Sequence, residues 1–594
     1  MAGCIGLPVR PLLEEAYNSV EPGGVSVAVA PTSYGKTVAS PWMWRRAREE
    51  GLAGGLVHVA PLRSLVRRAY DDLFKPCGGR LQMHGADDKV KSPYLLSTLV
   101  VSTLDSFLWN LYRIPVAEAL KVQSGSSMGH YYPSLLSIFT SLVVFDEGHM
   151  YLWEDPYHGD PSSTGAAASL AAIAGLAWAG APVVVETATA QPSMIANIRR
   201  VAEKAGGRAT IKALKAPRGS TSCPYIDKLR SEAGALEDMD DPEWESSHLV
   251  PWKTFIEDDW EGVVDSIVDD ASSGPVLVVA NTVGEAVDLY GRLKSIASRV
   301  VLIHGRLSNS DRSKAEEDLH RIESEGGVVV STQVAEAGLD VNSAAVYTSA
   351  APLESIVQRA GRACRRGGIL ESCMEDGGKV VIVAEGSPGP YPKASVEETV
   401  KLISEIVSHD PRSLDWRAPC NRDSIMGYGT LIALHHAKES VAASHSLVEQ
   451  LLQSYLKSDA RPWALLKMIE HAGLCGLARD SIMVEVDVGD SAVPASLQWV
   501  LSNAQSILEF RDNLPVVTVE WSLGRRRGVA EGRAARLWSA WNRARLRGGC
   551  EQLVKSLALD ALEALKNAGV DKAAYTVRLK AKEGVYKPGL GLVW

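Results

Sequence analysis

The chain has no C-x-x-C pair. Its eight cysteines stand apart at positions 4, 77, 223, 364, 373, 420, 475 and 550. Such spacing indicates neither a zinc site nor a secreted disulfide framework. The N-terminus lacks a basic segment followed by an apolar run, so no export signal is read and a cytoplasmic protein is expected. Uncharged apolar length is scarce as well. Residues 165–185 are long enough to cross a bilayer. They are mainly Ala and Gly, however, with Ser169 and Pro182 inside. They read as a buried helix followed by a strand at 182–185, and no membrane partner is expected. No short-period repeat is present, which excludes solenoid and propeller arrays.

What is present suits a large globular enzyme. Apolar residues make up 46% and charged residues 22% of the 594 positions. That length implies three or four folding units of about 150 residues each. The net charge of −9 is uneven: residues 500–594 hold 16 Lys/Arg against 9 Asp/Glu, and acids are densest between Glu232 and Asp270. A basic tail on an acidic body suits a phosphate backbone or an acidic partner, or is simply a solvated helical surface.

Short apolar runs recur at 25–30, 56–60, 99–102, 142–145 and 183–185, separated by segments with helical spacing such as 37–50 and 62–74. This alternation predicts a parallel sheet covered by helices. The pattern repeats at 275–280, 300–303, 328–331, 345–348 and 380–383. The expected organisation is a first α/β unit at 1–208 and an acidic connector at 209–262. A second α/β unit follows at 263–388, then a mostly helical accessory domain at 389–594.

The first strand runs into Ala30-Pro-Thr-Ser-Tyr-Gly-Lys-Thr37, an A-x-x-x-x-G-K-T loop before a helix-compatible run. Backbone N–H groups of Thr32, Ser33 and Gly35, with the helix N-terminus, would cradle the phosphates of ATP. Lys36 would neutralise the β/γ charge and Thr37 would ligate Mg²⁺. Leu142-Val-Val-Phe-Asp-Glu-Gly-His149 delivers two acids to the C-terminal edge of a sheet. Asp146 would hold Mg²⁺, and Glu147 would orient and deprotonate the attacking water. His149 has no ligand partners nearby in sequence and reads as a hydrogen-bonding relay. Far downstream, Gln358-Arg-Ala-Gly-Arg-Ala-Cys-Arg365 carries arginines at 359, 362 and 365, a spacing close to one helical face. Arg362 and Arg365 would reach across a cleft to the γ-phosphate as arginine fingers.

On these residues the chain resembles superfamily 2 helicases over roughly residues 20–385, which implies two tandem RecA-like domains. The phosphate loop matches their motif I, and Asp-Glu-Gly-His resembles the DExH form of motif II. Thr187-Ala-Thr189 resembles the S/T-A-T coupling motif. Ser331-Thr-Gln-Val-Ala-Glu-Ala-Gly-Leu-Asp340 resembles motif V, placing Gly338 and Asp340 at the nucleotide. Gln358–Arg365 fits the Q-x-x-G-R-x-x-R of motif VI, adding Gln358 to the catalytic set. Two departures stand out. Ser33 sits where these helicases usually carry Gly, and no Gln precedes Gln82, so the adenine-reading Gln of DEAD-box RNA helicases is missing.

Within the superfamily the chain most resembles the helicase of type I CRISPR interference. The Thr-Gln-Val-Ala-Glu run, Ser102-Thr-Leu-Asp105, the DExH box and the long C-terminal extension carry that likeness. Asn342 departs from it, since a second acid is frequent there. A metal-dependent HD nuclease is often fused before such helicases. The segment ahead of the phosphate loop is too short for one, so the expectation is a helicase-only form with the nuclease on a separate polypeptide. His409-Asp410 is an HD dipeptide followed directly by Pro411, with His435, His436, His445 and His471 downstream. It reads as accidental, because a nuclease needs several ligands converging on one site.

The resemblance further implies single-stranded DNA lying across both units and 3′-to-5′ stepping on an R-loop opened by a guide-RNA surveillance complex. DNA phosphates would meet Arg63, Ser102, Thr103, Asn281, Thr282, Thr332 and Gln333, unless these hydroxyl residues merely cap strand ends. In the tail, Arg525–Arg527 is favoured as a DNA or partner contact over Arg543, Arg545 and Arg547, which follow Trp538 and Trp541. The rival readings are a DNA-repair or recombination helicase with the same motor, an ATP-gated DNA-binding scaffold, and a single-chain helicase–nuclease.

Overall fold

The computed structural model describes residues 8–592, except 84–88, 116–117, 119–126, 153–163, 218–219, 221, 235, 436–446, 472–476, 479–481, 490, 524–525, 545–549 and 571–573. Two parallel sheets organise it. The first holds β1 (Val25–Val29), β2 (Gly55–Ala60), β3 (Arg80–Gln82), β4 (Leu99–Thr103), β5 (Ser141–Phe145), β6 (Val183–Thr187), β7 (Ala209–Leu214) and β8 (Leu236–Met239). Their order is β3-β4-β2-β5-β6-β1-β7-β8. The second holds β9 (Trp252–Glu257), β10 (Pro275–Val279), β11 (Val300–Ile303), β12 (Gly327–Ser331), β13 (Ala345–Ser349) and β14 (Gly378–Val383), in the order β11-β12-β10-β13-β14-β9. The apolar runs lie in these strands because a parallel sheet is covered on both faces. β1, β2, β5, β6, β10 and β12 are buried at every position. These are the tandem RecA-like sheets expected from the motifs.

The stretch read as an acidic connector is structured instead. It supplies β7 and β8 to the first sheet and β9 to the second. Charge hides these strands from a hydropathy reading. Lys212 sits inside β7, 3% exposed, and is ion-paired with Glu15 and Glu237. β8 and β9 are edge strands, where alternate positions face solvent.

Residues 165–178 belong to the helix Thr164–Trp178, which precedes β6 as expected. Among the described residues no helix is long and apolar enough to cross a membrane. Small side chains on this helix admit another helix, Leu447–Leu456. A Cβ at Gly175 would lie 2.6 Å from Leu456 Cδ1. The chain therefore turns back from the second unit to cover the first. Helix Tyr428–His435 packs on helix Pro224–Ala233, and Arg200 ion-pairs with the buried Glu449 at 2.7 Å.

More residues lie in helices than in strands beyond residue 389, but this region also builds a third, six-stranded sheet from strands at 483–487, 492–496, 510–511, 514–523, 526–533 and 574–580. Trp538 and Trp541 pack against its apolar core. A terminal hairpin at 586–592 reaches the second unit. There Tyr586 donates to Asp311 at 2.5 Å, and Leu590 O lies 3.1 Å from His304 Nε2.

The cysteine expectation needs correction. Cys223 and Cys420 form one disulfide, with Cα atoms 4.7 Å apart, and Cys364 and Cys373 form another. Cys223 and Cys420 lie 197 residues apart in sequence. Only folding brings such partners within bonding reach, so no spacing motif announces them.

Candidate active site

The loop at 30–35 leaves β1 and enters the helix Lys36–Glu49. Gly35 holds φ at 90° and Ser33 at 65°, in the left-handed region that glycine tolerates best. The serine has a compensating contact: its Oγ accepts from Arg365 Nε at 3.0 Å. Lys36 is buried and folds back onto the carbonyls of Ala30 and Pro31, at 3.1 and 3.0 Å. Its ammonium has no carboxylate partner there, which leaves it free to exchange carbonyls for phosphate oxygens. Tyr34 is anchored from the expected connector, donating to Asp241 at 2.9 Å.

β5 ends at Phe145, and the two acids follow directly. Asp146 is 2% exposed. Its Oδ2 accepts the Thr37 hydroxyl at 2.9 Å, and its Oδ1 accepts the Glu147 N–H at 2.9 Å. Burial favours its neutral form, but the neighbouring His58, Lys36 and Thr37 outweigh burial and hold the carboxyl below its ordinary range. Glu147 takes a left-handed φ of 51°, and its buried Oε2 has no hydrogen-bond partner. The hydroxyl of Thr37 and the carboxylate of Asp146 suit Mg²⁺, which takes oxygen ligands and keeps several waters, while Glu147 Oε2 lies 3.6 Å from His149 Nδ1.

His149 Nδ1 lies 3.1 Å from Thr187 Oγ1, which also accepts the Thr189 N–H. Burial pulls the imidazole pKa of His149 below its ordinary range. One acid escaped the motif reading. Glu186, on β6, is fully buried and neither carboxylate oxygen has a partner. Burial, then the charge of Asp146, pushes its carboxyl well above the carboxylate range.

The second unit supplies the opposite wall. Helix Leu353–Ala360 stops before Arg362, so the three arginines do not share one helical face. Just beyond the helix end the chain packs closely: a Cβ at Gly361 would sit 2.5 Å from Thr32 Oγ1, against the phosphate loop. Each arginine then has its own setting. Arg359 is fully buried and bonded to Glu336, Thr348, Asn281 and Tyr391. Arg362 donates to the carbonyls of Glu336 and Leu339, and its Nε has no partner. Arg365 spans the cleft, bonding Ser33 and the Asp340 carboxylate, the latter at 2.9 Å. Burial, then the neighbouring charge of Arg362, lowers its guanidinium pKa.

Asp340 is a hub that sequence alone did not connect. It also receives Arg366 and, from the first unit, Arg68 at 2.6 Å. A Cβ at Gly338 would lie 2.6 Å from Ser64 Oγ, so the two units touch here as well. Gln358 is buried, and neither polar atom of its side chain has a partner.

The expected DNA contacts fall on the C-terminal strand edges of both units, but most of the side chains are engaged internally. Thr103 and Thr282 cap the helices that follow them, accepting from Ser106 N and Glu285 N. Ser102 donates to Gln82 O, and Gln333 to Asn281 O. Asn281 is 3% exposed and bonds Ala350 O and Arg359. Thr332 is buried, and Arg63 opens the helix Arg63–Ala69. Strand-end capping therefore accounts for the Thr103 and Thr282 hydroxyls.

Asp410 accepts from Arg412 N at 2.9 Å within its own turn. His436 and His445 lie outside the described residues, as do Arg525, Arg545 and Arg547. Among the described residues no group of three or more His, Cys, Asp or Glu side chains forms a metal cluster.

Residues 272–368 match the family described as CRISPR-associated nuclease/helicase Cas3, C-terminal. The CRISPR-associated helicase Cas3 of Thermoproteus tenax is 25% identical over 400 residues, covering 64% of this chain and 60% of the relative. Among solved structures, T. fusca Cas3 with ADP superposes with a TM-score of 0.53 at 18% identity, covering 80% of this chain and 57% of that one. T. fusca Cas3 with AMPPNP gives 0.51 at 16%, with coverage of 80% and 57%. The chain thus spans about three-fifths of the length of these relatives. In sequence and in fold, this chain resembles the CRISPR-associated helicase Cas3.

Proposed function

We propose that the chain is an ATP-driven translocase on single-stranded DNA. It would act in type I CRISPR interference, unwinding target DNA at an R-loop and feeding a separate HD nuclease subunit. The observation that carries this is the meeting of two sequence-distant elements, Arg365 of the second unit and Ser33 of the phosphate loop, at 3.0 Å. An ATPase whose arginines come from a second body hydrolyses only when the cleft is closed, and that dependence is what couples hydrolysis to movement.

In this reading the loop amides at 32–35 bind the phosphates and Lys36 leaves its two carbonyls to pair with them. Thr37 and Asp146 hold Mg²⁺. The ion, when bound, offsets negative charge on the β- and γ-phosphates. Glu147 accepts a proton from the attacking water through its open Oε2. Arg362 and Arg365 stabilise the charge on the transferred group, with Gln358 beside them. Gly338 and Asp340 close the nucleotide from the second unit. The His149–Thr187 contact links the acids to β6 and so to the DNA-facing strand ends. There backbone N–H groups, more than the capped hydroxyls, would meet phosphates. A guide-RNA surveillance complex in the cytoplasm is the proposed recruiter, and stepping is proposed to run 3′ to 5′.

The test is Mg²⁺-dependent ATPase with and without single-stranded DNA, alongside strand displacement from a 3′-tailed duplex. DNA-stimulated turnover that Lys36→Ala removes supports the reading. Absence of any DNA stimulation rejects the motor.

A further inference from the structure

β2 reads Gly-Leu-Val-His-Val-Ala, and its one strongly polar side chain is His58. The imidazole is fully buried beneath the phosphate loop. A buried polar group in an apolar strand is costly unless its atoms find partners. His58 has two candidates. Nδ1 lies 2.9 Å from the hydroxyl of Ser40, one turn beyond Thr37 on the same helix. Nε2 lies 3.3 Å from Asp146 Oδ2, a long and off-line contact. The sheet register explains the approach. His58 pairs with Val144, two residues before Asp146, so both side chains stand on the same face of adjacent strands. Phe74 closes the outer side, with ring centroids 5.6 Å apart.

We propose that His58 is a positioning residue for the metal-facing carboxylate. Ser40 holds the imidazole, and the imidazole holds Asp146 Oδ2. Three groups then restrain one carboxylate: His58 and Thr37 at Oδ2 and the Glu147 N–H at Oδ1. Rotation of the carboxyl would break at least one of these contacts, so its oxygens are presented in one orientation before any ion arrives. Outer partners of this kind tune metal affinity by about 10- to 100-fold. This role requires the tautomer in which Nε2 carries the proton and faces Asp146 while Nδ1 accepts from Ser40.

This inference rests on the ATP–Mg²⁺ reading, and its test separates the two. Mn²⁺ serves as probe, its binding to the full chain with saturating ADP followed by electron paramagnetic resonance. His58→Leu is expected to weaken Mn²⁺ binding by about tenfold, while ADP affinity measured without metal stays unchanged. His58→Gln, whose amide can donate toward Asp146, is expected to recover most of that loss, although both variants melt at similar temperatures. Wild-type Mn²⁺ affinity in His58→Leu, or equal losses in Leu and Gln, would overturn the assignment in favour of a packing role. If His58→Leu does not fold, Ser40→Ala decides, because it keeps the imidazole and removes its anchor. Weakened Mn²⁺ binding there supports the chain of contacts, and unchanged binding overturns it. Failure of the wild-type chain to take up Mn²⁺ with ADP would reject the nucleotide site itself, and His58's role with it.

Discussion

On the first sheet, Asp146 and Glu147 are delivered by the end of β5, and the buried Glu147 Oε2 makes no hydrogen bond among the described residues, its neighbour His149 Nδ1 lying 3.6 Å away. Lys36 there is bonded only to loop carbonyls. On the second unit the charged groups are already spent on one another. Arg359 is buried against Glu336, and Arg365 and Arg366 share Asp340, which also takes Arg68 from across the cleft. The first wall is open toward a ligand, and most of the second wall's guanidiniums are already satisfied, Arg362 Nε and the Gln358 amide excepted. A buried charge without a partner is expensive, and these arginines rest on carboxylates and carbonyls. The difference suggests that nucleotide arrival reorganises the second wall more than the first.

The largest effects should come from the open wall and the cleft-crossing arginines. Lys36→Ala should abolish DNA-stimulated ATPase, and Arg365→Ala should lower kcat about 10³-fold, with melting temperatures close to wild type in both. Retention of wild-type turnover by either in a steady-state assay would erase the asymmetry.

Glu147→Gln comes next. It should bind ATP in a filter assay yet hydrolyse it about 10²- to 10⁴-fold more slowly. A variant that loses binding and hydrolysis together would move Glu147 out of the water-orienting role.

The self-satisfied wall should reveal itself in stability. Glu336→Ala strands the fully buried Arg359 and should cost about 3–5 kcal/mol in urea unfolding. A change near zero would mean that Thr348, Asn281 and Tyr391 suffice to hold the guanidinium.

A smaller effect is expected at Asp340. Burial alone would raise its carboxyl, but the Arg366 hydrogen bond and the charges of Arg365, Arg68 and Arg366 lower it from 3.8 to about 2. Its stabilisation is therefore full above pH 3.8, shrinks as pH falls, and is gone below about 2. Asp340→Asn should lose on the order of 1 kcal/mol at pH 7, allowing for solvent screening. The gap between the two proteins should close as pH approaches the lower value. A gap that persists there would reject the electrostatic origin.

Smallest of all should be the change outside the cleft. Arg526 and Arg527 are exposed on an edge strand at 526–533. With Arg525, they should contribute to DNA or partner affinity and to its salt dependence. Triple replacement by Ala should flatten the salt slope by about one unit per lost phosphate contact and leave basal ATPase intact. Identical slopes would return the run to a solvated surface.

Much of this comparison was legible beforehand, for a physical reason. A strand–loop–helix with G-K-T, or an apolar strand ending in Asp-Glu, is a local pattern whose geometry follows from period and turn chemistry. The acids, Lys36 and Thr37 are therefore found where the motifs put them. The arginine segment was legible in composition but not in form. Its helix stops at Ala360, and Gly361 packs against Thr32 where a side chain would not fit. β7, β8 and β9 were hidden because a paired lysine and solvent-facing edges break the apolar run.

The sequence by itself determined the two α/β repeats, the nucleotide loop, the acidic strand end and the identity of the cleft arginines, because each is written in neighbouring residues. Only the tertiary structure decided the rest. Strand order set His58 beside Asp146, and cleft closure set Arg68 on Asp340 and Arg365 on Ser33. Chain return set Cys223 on Cys420. These contacts join residues far apart along the chain. Their existence depends on which strands become neighbours and which faces meet, and no local pattern carries that information.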